Sequence, residues 1–536
     1  MAAKPSLSTP KIFTFALISV CLSLILVTTI EVLGRTYENR PRWVFPNPVQ
    51  KPGWYQVLES RNVTRMKIGL VNVHNMENEV RGLVGEPELM SVDFIRVNET
   101  IRWTDLYPEW IDEEKPEKCP EIPMPRFEDY KGINVIVARV PCGGPTDVYR
   151  LQVNLVVANL LVRINGWEDH ERSYNEIYVV FLGSCEPMLE IFRCEDLLWH
   201  EGHSWVYKPD LRSLKQKVAM PVGSCQLGHP FVEQGQEMRE RAFNKTLNQP
   251  REAYVSIVHS SESYVCGAVA LAQSIKQSTL TKDLVLLVDE TISQKSIHGL
   301  REAGWKIKKI KRIRSPHAQK RAYNEWNYSK LRIWQLVEYD KLIFIDSDFI
   351  VLRNLDKFFA YPQMSAVGNS RHVFNSGLML IEPSECTFKT LMEKTNTTGS
   401  YNGGDQGFLN EVFSWWHRFP SGLNFIKNFK SLQGEKHDVP KNVYTIHFIG
   451  MKPWRCYRDY DCNWDNIDNQ HLASDMAHEM WWKVHDRMPQ NLKQYCALKP
   501  WAEAEIRTWR EKAKNASFAD GHWKIPVRDP RRGSYM

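Results

Sequence analysis

The run Lys341-Leu342-Ile343-Phe344-Ile345 is apolar and ends in Asp346-Ser347-Asp348, two aspartates one residue apart. Where a strand opens into a loop, both carboxylates can turn toward one point. Two such carboxylates attract a hard divalent cation, which can in turn hold a diphosphate. On its own an acidic pair is commonly a solvated loop. Here a second motif follows about a hundred residues later, His447-Phe448-Ile449-Gly450-Met451-Lys452-Pro453-Trp454. His447 would complete the protein ligands, and a mixed oxygen and imidazole set suits Mn2+ better than magnesium or calcium. Lys452 can clasp a phosphate, and Gly450 between them lets the backbone come close to a ligand.

Two further segments lie between these motifs. Phe374-Asn375-Ser376-Gly377 precedes the apolar run Leu378-Met379-Leu380-Ile381. Asn375 can hydrogen-bond hydroxyl groups, and Gly377 permits close backbone approach. Tyr401-Asn402-Gly403-Gly404-Asp405-Gln406-Gly407 is a glycine-rich loop opening a helix. Asp405 and Gln406 there would ordinarily be read as capping groups. Lys330, in Ser329-Lys330-Leu331-Arg332, would alone be an ordinary helix charge.

The order and spacing of these motifs over Tyr254 to Trp454 resemble glycosyltransferase family 8, the glycogenin-like retaining enzymes that use nucleotide sugars. Locally, Lys452 to Trp464 is similar to the plant xylan glucuronosyltransferases rather than to glycogenin. The resemblance implies a GT-A type, Rossmann-like domain. It also implies metal-dependent transfer of glucuronic acid from UDP-glucuronate to the xylan backbone in cell-wall biosynthesis. By the same resemblance, Lys330, Asp346, Asp348 and Asp405 are catalytic, and Mn2+ is held by Asp346, Asp348 and His447. The donor is bound by Asp346, Ser347, Asp348, Asn375, Ser376, Gly377, Asn402, Gly403, Gly404, Asp405 and Gln406, and by His447, Phe448, Ile449, Gly450, Met451 and Lys452. Glucuronate differs from glucose by a carboxylate, which calls for a positive charge, and Arg371 and His372 are candidates on the segment entering Asn375.

Retention leaves two routes open. Asp405 is the nearest carboxylate for a double displacement; in the front-side route the leaving diphosphate itself helps deprotonate the acceptor. Two other functions stand as alternatives. One is another family 8 transferase, such as a glucosyltransferase priming a glucan; no acceptor tyrosine for self-glucosylation is identifiable among 20 Tyr. The other is a membrane-anchored glycan-binding protein with a decayed site, against which the intact Asp346, Asp348, His447 and Lys452 argue.

The elements that must position these residues follow from periodicity. Tyr254–Val258, Leu284–Val288 and Leu342–Asp346 read as strands, Tyr264–Gln277 and Tyr328–Leu336 as helices. Gly267, Ala268, Ala270 and Ala272 give the first helix a small-residue face. Such alternation predicts an α/β domain with a mostly parallel sheet and helices on both faces. Ligands bind such sheets beyond the carboxyl ends of the strands, which is where Asp346 and Asp348 fall. Upstream, short strands around Lys67–Val71, Ile133–Val137 and Ile177–Phe181, with a helix over Leu151–Ile164, predict an accessory α/β region without evident chemistry.

With 536 residues, 43% hydrophobic and 25% charged, the chain has globular composition and room for two or three domains. A net charge of +6 without basic–aromatic clusters does not suggest nucleic-acid binding. Ile12–Ile30 is uncharged, just long enough to span a bilayer, and reads as an uncleaved signal anchor rather than a cleaved signal peptide. Six Asn-x-Ser/Thr sequons (Asn62, Asn98, Asn244, Asn327, Asn396, Asn515) and ten of 11 cysteines follow it. Cys456 and Cys462 could pair in an oxidising lumen. The expected topology is single-pass type II in the Golgi membrane, in possible complex with other wall-polysaccharide synthases. The expected division is a cytosolic tail (1–11), anchor (12–30), stem (31–64), accessory region (65–245), catalytic domain (250–498) and a polar C-terminal tail (499–536) forming a surface extension.

Overall fold

The computed structural model describes residues 51–63, 65–73, 87–107, 120–164, 176–218, 250–278, 282–370, 372–429 and 437–531. The expected membrane anchor and Arg371 lie outside them. Among the described residues, no helix is long and apolar enough to cross a membrane.

The accessory region forms a six-stranded sheet from β1 (Lys67–Val71), β2 (Glu88–Ser91), β3 (Val135–Arg139), β4 (Tyr178–Leu182), β5 (Leu197–Glu201) and β6 (Ser204–Tyr207). The order is β2-β1-β3-β4-β6-β5. The first four run parallel, and β6 is antiparallel to both β4 and β5. The helix Val148–Ile164 is apolar almost all round and buried along nearly its whole length, as expected of a helix enclosed on every side. Its buried Gln152 accepts from the Val97 amide (2.8 Å) and donates to Ile95 O (2.8 Å) and Pro123 O (2.7 Å), tying irregular chain to the helix.

The region expected to be catalytic is built on β7 (Glu252–Val258), β8 (Asp283–Val288), β9 (Lys306–Lys309), β10 (Lys341–Ile345), β11 (Phe349–Val351), β12 (Ser365–Gly368), β13 (Phe374–Ile381), β14 (His417–Arg418), β15 (Phe425–Ile426) and β16 (Thr445–His447). Seven of these form one sheet, ordered β14-β12-β13-β10-β7-β8-β9. Strands β9, β8, β7 and β10 are parallel, as the strand–helix alternation predicts. The sheet as a whole is mixed, because β13 runs antiparallel to both β10 and β12. A three-stranded sheet, β11-β16-β15, sits beyond the end of β10.

Three other expectations change. The expected stem (31–64) includes a helix, Gly53–Ser60, that buries Trp54, Tyr55 and Leu58. Tyr328–Leu336 is not an α-helix; Asn327–Gln335 is 3-10. The segment after 499 is not a surface extension. The helix Pro500–Asn515 buries Ala502, Ile506 and Ala513, one face at helical spacing, and Ala502 and Ile506 join a cluster containing Met451, Cys456, Tyr457 and Tyr460. Arg531 then donates to Trp454 O (3.1 Å), Cys496 O (3.0 Å) and Cys456 O (2.6 Å). Few positions of this charged helix face inward, Trp509 packing partly buried beside the three, so its composition reads as solvated.

Accessory and catalytic residues share one hydrophobic core. Cys194–Cys386 links them covalently, and Cys142–Cys185, Cys266–Cys496 and Cys456–Cys462 are also paired. Tyr107 stacks on Trp416 (5.3 Å), and its hydroxyl accepts from the Trp416 amide (3.0 Å). The Trp416 indole donates to His372 O (3.1 Å), so this contact reaches the segment entering Asn375. Tyr107→Phe leaves the Trp416 amide buried without its partner. It is expected to cost about 1–3 kcal/mol, read as a lower denaturation midpoint; an unchanged midpoint would show that the hydroxyl contributes nothing to the join.

Candidate active site

The reversal of β13 assembles the site. Ile345 at the end of β10 pairs with Leu378, and the Asp346 amide donates to Gly377 O at 2.8 Å. A parallel strand would carry Asn375-Ser376-Gly377 at the opposite edge of the sheet; an antiparallel one sets it beside Asp346. The small sheet repeats the device. Phe349 pairs with His447 across the antiparallel β11/β16 ladder, and the Phe448 amide donates to Asp348 O at 2.9 Å. The helix Val265–Ser278 closes the floor: a Cβ on Gly267 would lie 2.3 Å from Ser347 O, so only glycine lets the Asp346–Asp348 turn settle on it. The Ser347 carbonyl thus faces packing.

Asp346, Asp348 and His447 each bring a ligand atom within 4.8 Å of the others'. His447 Nε2 is 3.4 Å from Asp348 Oδ1, and Phe349 stacks on the imidazole at 4.1 Å. Its Nδ1 is buried with no hydrogen-bond partner. A Cβ on Gly377 would meet the His447 ring at 3.0 Å, so that glycine makes room for the imidazole. Two carboxylates and an imidazole converging in this way fit a divalent cation.

Two lysines face the acids. Lys330 Nζ lies 2.7 Å from Asp405 Oδ2, 3.3 Å from Asp346 and 3.2 Å from Ser376 O. Lys452 Nζ lies 2.7 Å from Asp348 Oδ2 and also donates to Phe448 O. Three carboxylates against two ammonium groups leave the cluster one negative charge when His447 is neutral. Burial would depress both lysines, but Asp346 and Asp405 at Lys330, and Asp348 at Lys452, outweigh it and hold both above their ordinary range. Burial pushes the Asp346 carboxyl up to about 6, although its side chain keeps 29% exposure; Lys330 opposes the rise and Asp348 adds to it. Burial also works against charge at Asp348, but Lys452 and His447 prevail and hold it below the usual carboxylate range.

The glycine-rich loop opens the helix Asp405–Val412. Asn402 does the capping: its Oδ1 accepts from the Gly404 (2.9 Å) and Gly407 (3.1 Å) amides. Gly403 carries the turn at φ 68°. Asp405 and Gln406 therefore reach inward, Asp405 Oδ2 to Ser376 Oγ (2.8 Å) and Gln406 Oε1 to the Ser376 amide (3.2 Å). Asn375 sits in the wall, where its Oδ1 accepts from the Gly377 and Asn424 amides, both at 2.9 Å. The side chains of Phe448 and Met451 are buried, while Ile449 and Gly450 reach the surface. Gly450 (φ 76°) makes a turn whose Cβ would collide with Asn463 Oδ1 at 2.6 Å, so its glycine serves packing beneath the site.

Sequence reading passed over two neighbours. Tyr264 is 36% exposed, with Lys452 Nζ 5.8 Å above its ring. His259 follows β7, and burial pushes its imidazole down to about 4 against the pull of Asp289 and Asp405. Both lie at the carboxyl end of β7, a position that the topology rule for ligand sites singles out.

The proton on Asp346 competes with a cation. In the ligand-free protein its raised pKa favours the protonated fold, so that contribution is complete below the ordinary carboxylate range and is lost as pH rises through about 6. Cation affinity should accordingly fall below about pH 6, with roughly one proton released per ion bound near pH 5 and almost none near pH 7.5. Calorimetry in buffers of different ionisation enthalpy reads this; a proton count independent of pH would remove Asp346 from the ligand set. Asp348→Asn should strand buried Lys452 at a cost of about 3 kcal/mol. Adding Lys452→Met should recover most of that stability and no activity. A double variant no more stable than Asp348→Asn would show that the pair is not what holds the turn.

Residues 256–367 and 361–457 match the family Glycosyl transferase family 8, and residues 47–225 match the GUX1-5 N-terminal domain. UDP-glucuronate:xylan alpha-glucuronosyltransferase 2 of Arabidopsis thaliana is 46% identical, over 90% of this chain and 84% of its own. UDP-glucuronate:xylan alpha-glucuronosyltransferase 1 of the same plant is 41% identical, over 97% and 82%. Glycogenin-1 of Homo sapiens is 29% identical, over 44% and 71%. With such identity along nearly the whole length, and the motifs gathered at one strand end, the chain belongs to glycosyltransferase family 8, among the members that carry the GUX1-5 N-terminal domain.

Proposed function

We propose that the protein is a retaining glucuronosyltransferase that takes UDP-glucuronate as donor and xylan as acceptor, with Mn2+ held by Asp346, Asp348 and His447. The observation that carries it is the convergence of those three ligands with Lys330, Lys452 and Asp405 at the end of β10, in a chain 41–46% identical to xylan glucuronosyltransferases over most of both lengths. A bound cation would supply charge stabilisation to the leaving diphosphate. Lys452, beside Asp348, stands where its ammonium can turn to a phosphate oxygen. Lys330 holds Asp405 and Asp346 in place. Ser376, Asp405 and Gln406 form one hydrogen-bonded surface against which a sugar can be oriented. Two donors on Asp405 Oδ2 draw electron density from that carboxylate and weaken it as a nucleophile, which favours the front-side route. Tyr264, exposed beside Lys452, is placed to stack on the nucleobase.

Four disulfides support a luminal location, since such pairs form and persist in oxidising compartments. With the apolar run 12–30, this supports a type II Golgi protein with its catalytic bulk in the lumen, where assembly with other wall-polysaccharide synthases would occur.

The luminal chain should hydrolyse UDP-glucuronate in preference to UDP-glucose, UDP-galactose and UDP-xylose, and transfer glucuronic acid to xylo-oligosaccharides. Chelation should abolish both activities, and manganese should restore them better than magnesium or calcium. Preference for UDP-glucose would instead point to another branch of the family. Turnover that survives chelation would remove the metal from the mechanism.

A further inference from the structure

The rim of the site bears two tyrosines that packing does not explain. Tyr323 is 88% exposed and Tyr401 is 55% exposed. A solvated tyrosine offers a ligand a flat apolar face and a polar tip. The segments that carry them are joined: Asn324 Nδ2 donates to Asn402 O at 2.8 Å.

The loop that carries Tyr323 is fastened at its base and held out at its tip. The Ser315 amide donates to Glu325 O and the Ser315 hydroxyl to Gly403 O, both at 2.7 Å. His317 Nε2 is 3.1 Å from Thr395 O. At the tip, Arg321 adopts φ 68°, a left-handed conformation that a branchless residue would take more easily, and its amide is held by Glu325 Oε2 at 2.7 Å. Tyr401 is fixed from the other side, since Gln406 Nε2 donates to its hydroxyl at 2.7 Å. Gln406 in turn touches the Ser376 amide, so the Tyr401 ring is coupled to the surface proposed to orient the donor sugar.

We infer that Tyr401 and Tyr323 form the acceptor platform, on which a neutral polysaccharide chain lies with one sugar ring near Asp405 and others running outward over Tyr323. The chemistry separates the two substrates. The donor is an anionic nucleotide, and its partners are the lysines and cation ligands of the interior. A pyranose chain is uncharged, polar at its edge and flat on its C–H faces, which suits a tyrosine ring with a polar tip. Identification of the chain as xylan rests on the function proposed above; the platform itself does not.

The test compares acceptors of increasing length on the luminal chain. In the wild type kcat/KM should rise with xylo-oligosaccharide length. In Tyr323→Ala the ratio of long to short acceptors should fall by about tenfold, the loss expected of one well-packed aromatic contact. Tyr323→Trp should restore it. An equal loss at every length, or a change confined to the KM of UDP-glucuronate, would overturn the platform. Binding is read separately in native gels cast with xylan, where the wild type should be retarded and Tyr323→Ala less so; equal retardation would also overturn it. Retardation by another neutral polysaccharide and not by xylan, lost in Tyr323→Ala, would uphold the platform and defeat the xylan reading.

Discussion

Three carboxylates crowd one buried end of β10, and the site depends on how their repulsion is relieved. Asp346, Asp348 and Asp405 could not share this space as ions without compensation. Lys330 relieves one side and Lys452 the other, each at 2.7 Å from its nearest acid. The relief is incomplete, because one negative charge remains and Asp346 is displaced upward to about 6. That residual charge is what makes the place receptive to a divalent cation. A third lysine would make a quieter fold and a poorer cation site.

Such a cluster is useful only if it is held still, and backbone pairing does much of the holding. The antiparallel entry of β13 sets Ser376 and Gly377 against Asp346, and the β11/β16 ladder sets His447 against Phe349. Around this frame the accessory region and the C-terminal segment act as clamps. Tyr107 and Trp416 lock the approach to Asn375 from one side. Arg531 grips Trp454 O, two residues from Lys452, from the other. Cys194–Cys386 makes the first clamp covalent, and Cys266–Cys496 fixes the chain just before the second. The accessory region therefore bears on the site through the stiffness it lends to loops that enter it.

Much of this was legible in the residues. The parallel strands β7, β8 and β10 announce themselves as apolar runs, and the helix over Val265–Ser278 by its period and small face. Asp346, Asp348, His447 and Lys452 are brought together as their spacing implied. What periodicity could not convey was direction. An apolar run such as Phe374–Ile381 reads the same parallel or antiparallel, and only pairing across the sheet decides. It also could not tell a glycine that admits a ligand from one that admits a neighbour; Gly377 makes way for His447 and Gly450 for Asn463. The C-terminal helix is hard to read from sequence because most of its surface is charged and the positions that anchor it are few.

The same distinction between what a residue can do and what its surroundings leave it to do separates the asparagines of the site. Asn375 and Asn402 are both amides on the segments that carry Ser376 and Asp405. Each spends its Oδ1 on two backbone or side-chain amides of the protein itself. Asp405 and Gln406, expected from position to cap a helix, are freed from that duty because Asn402 performs it. Capping by the loop residue thus leaves the helix residues free: it lets the first turn of Asp405–Val412 point its carboxylate and amide toward Ser376 while the helix end stays satisfied.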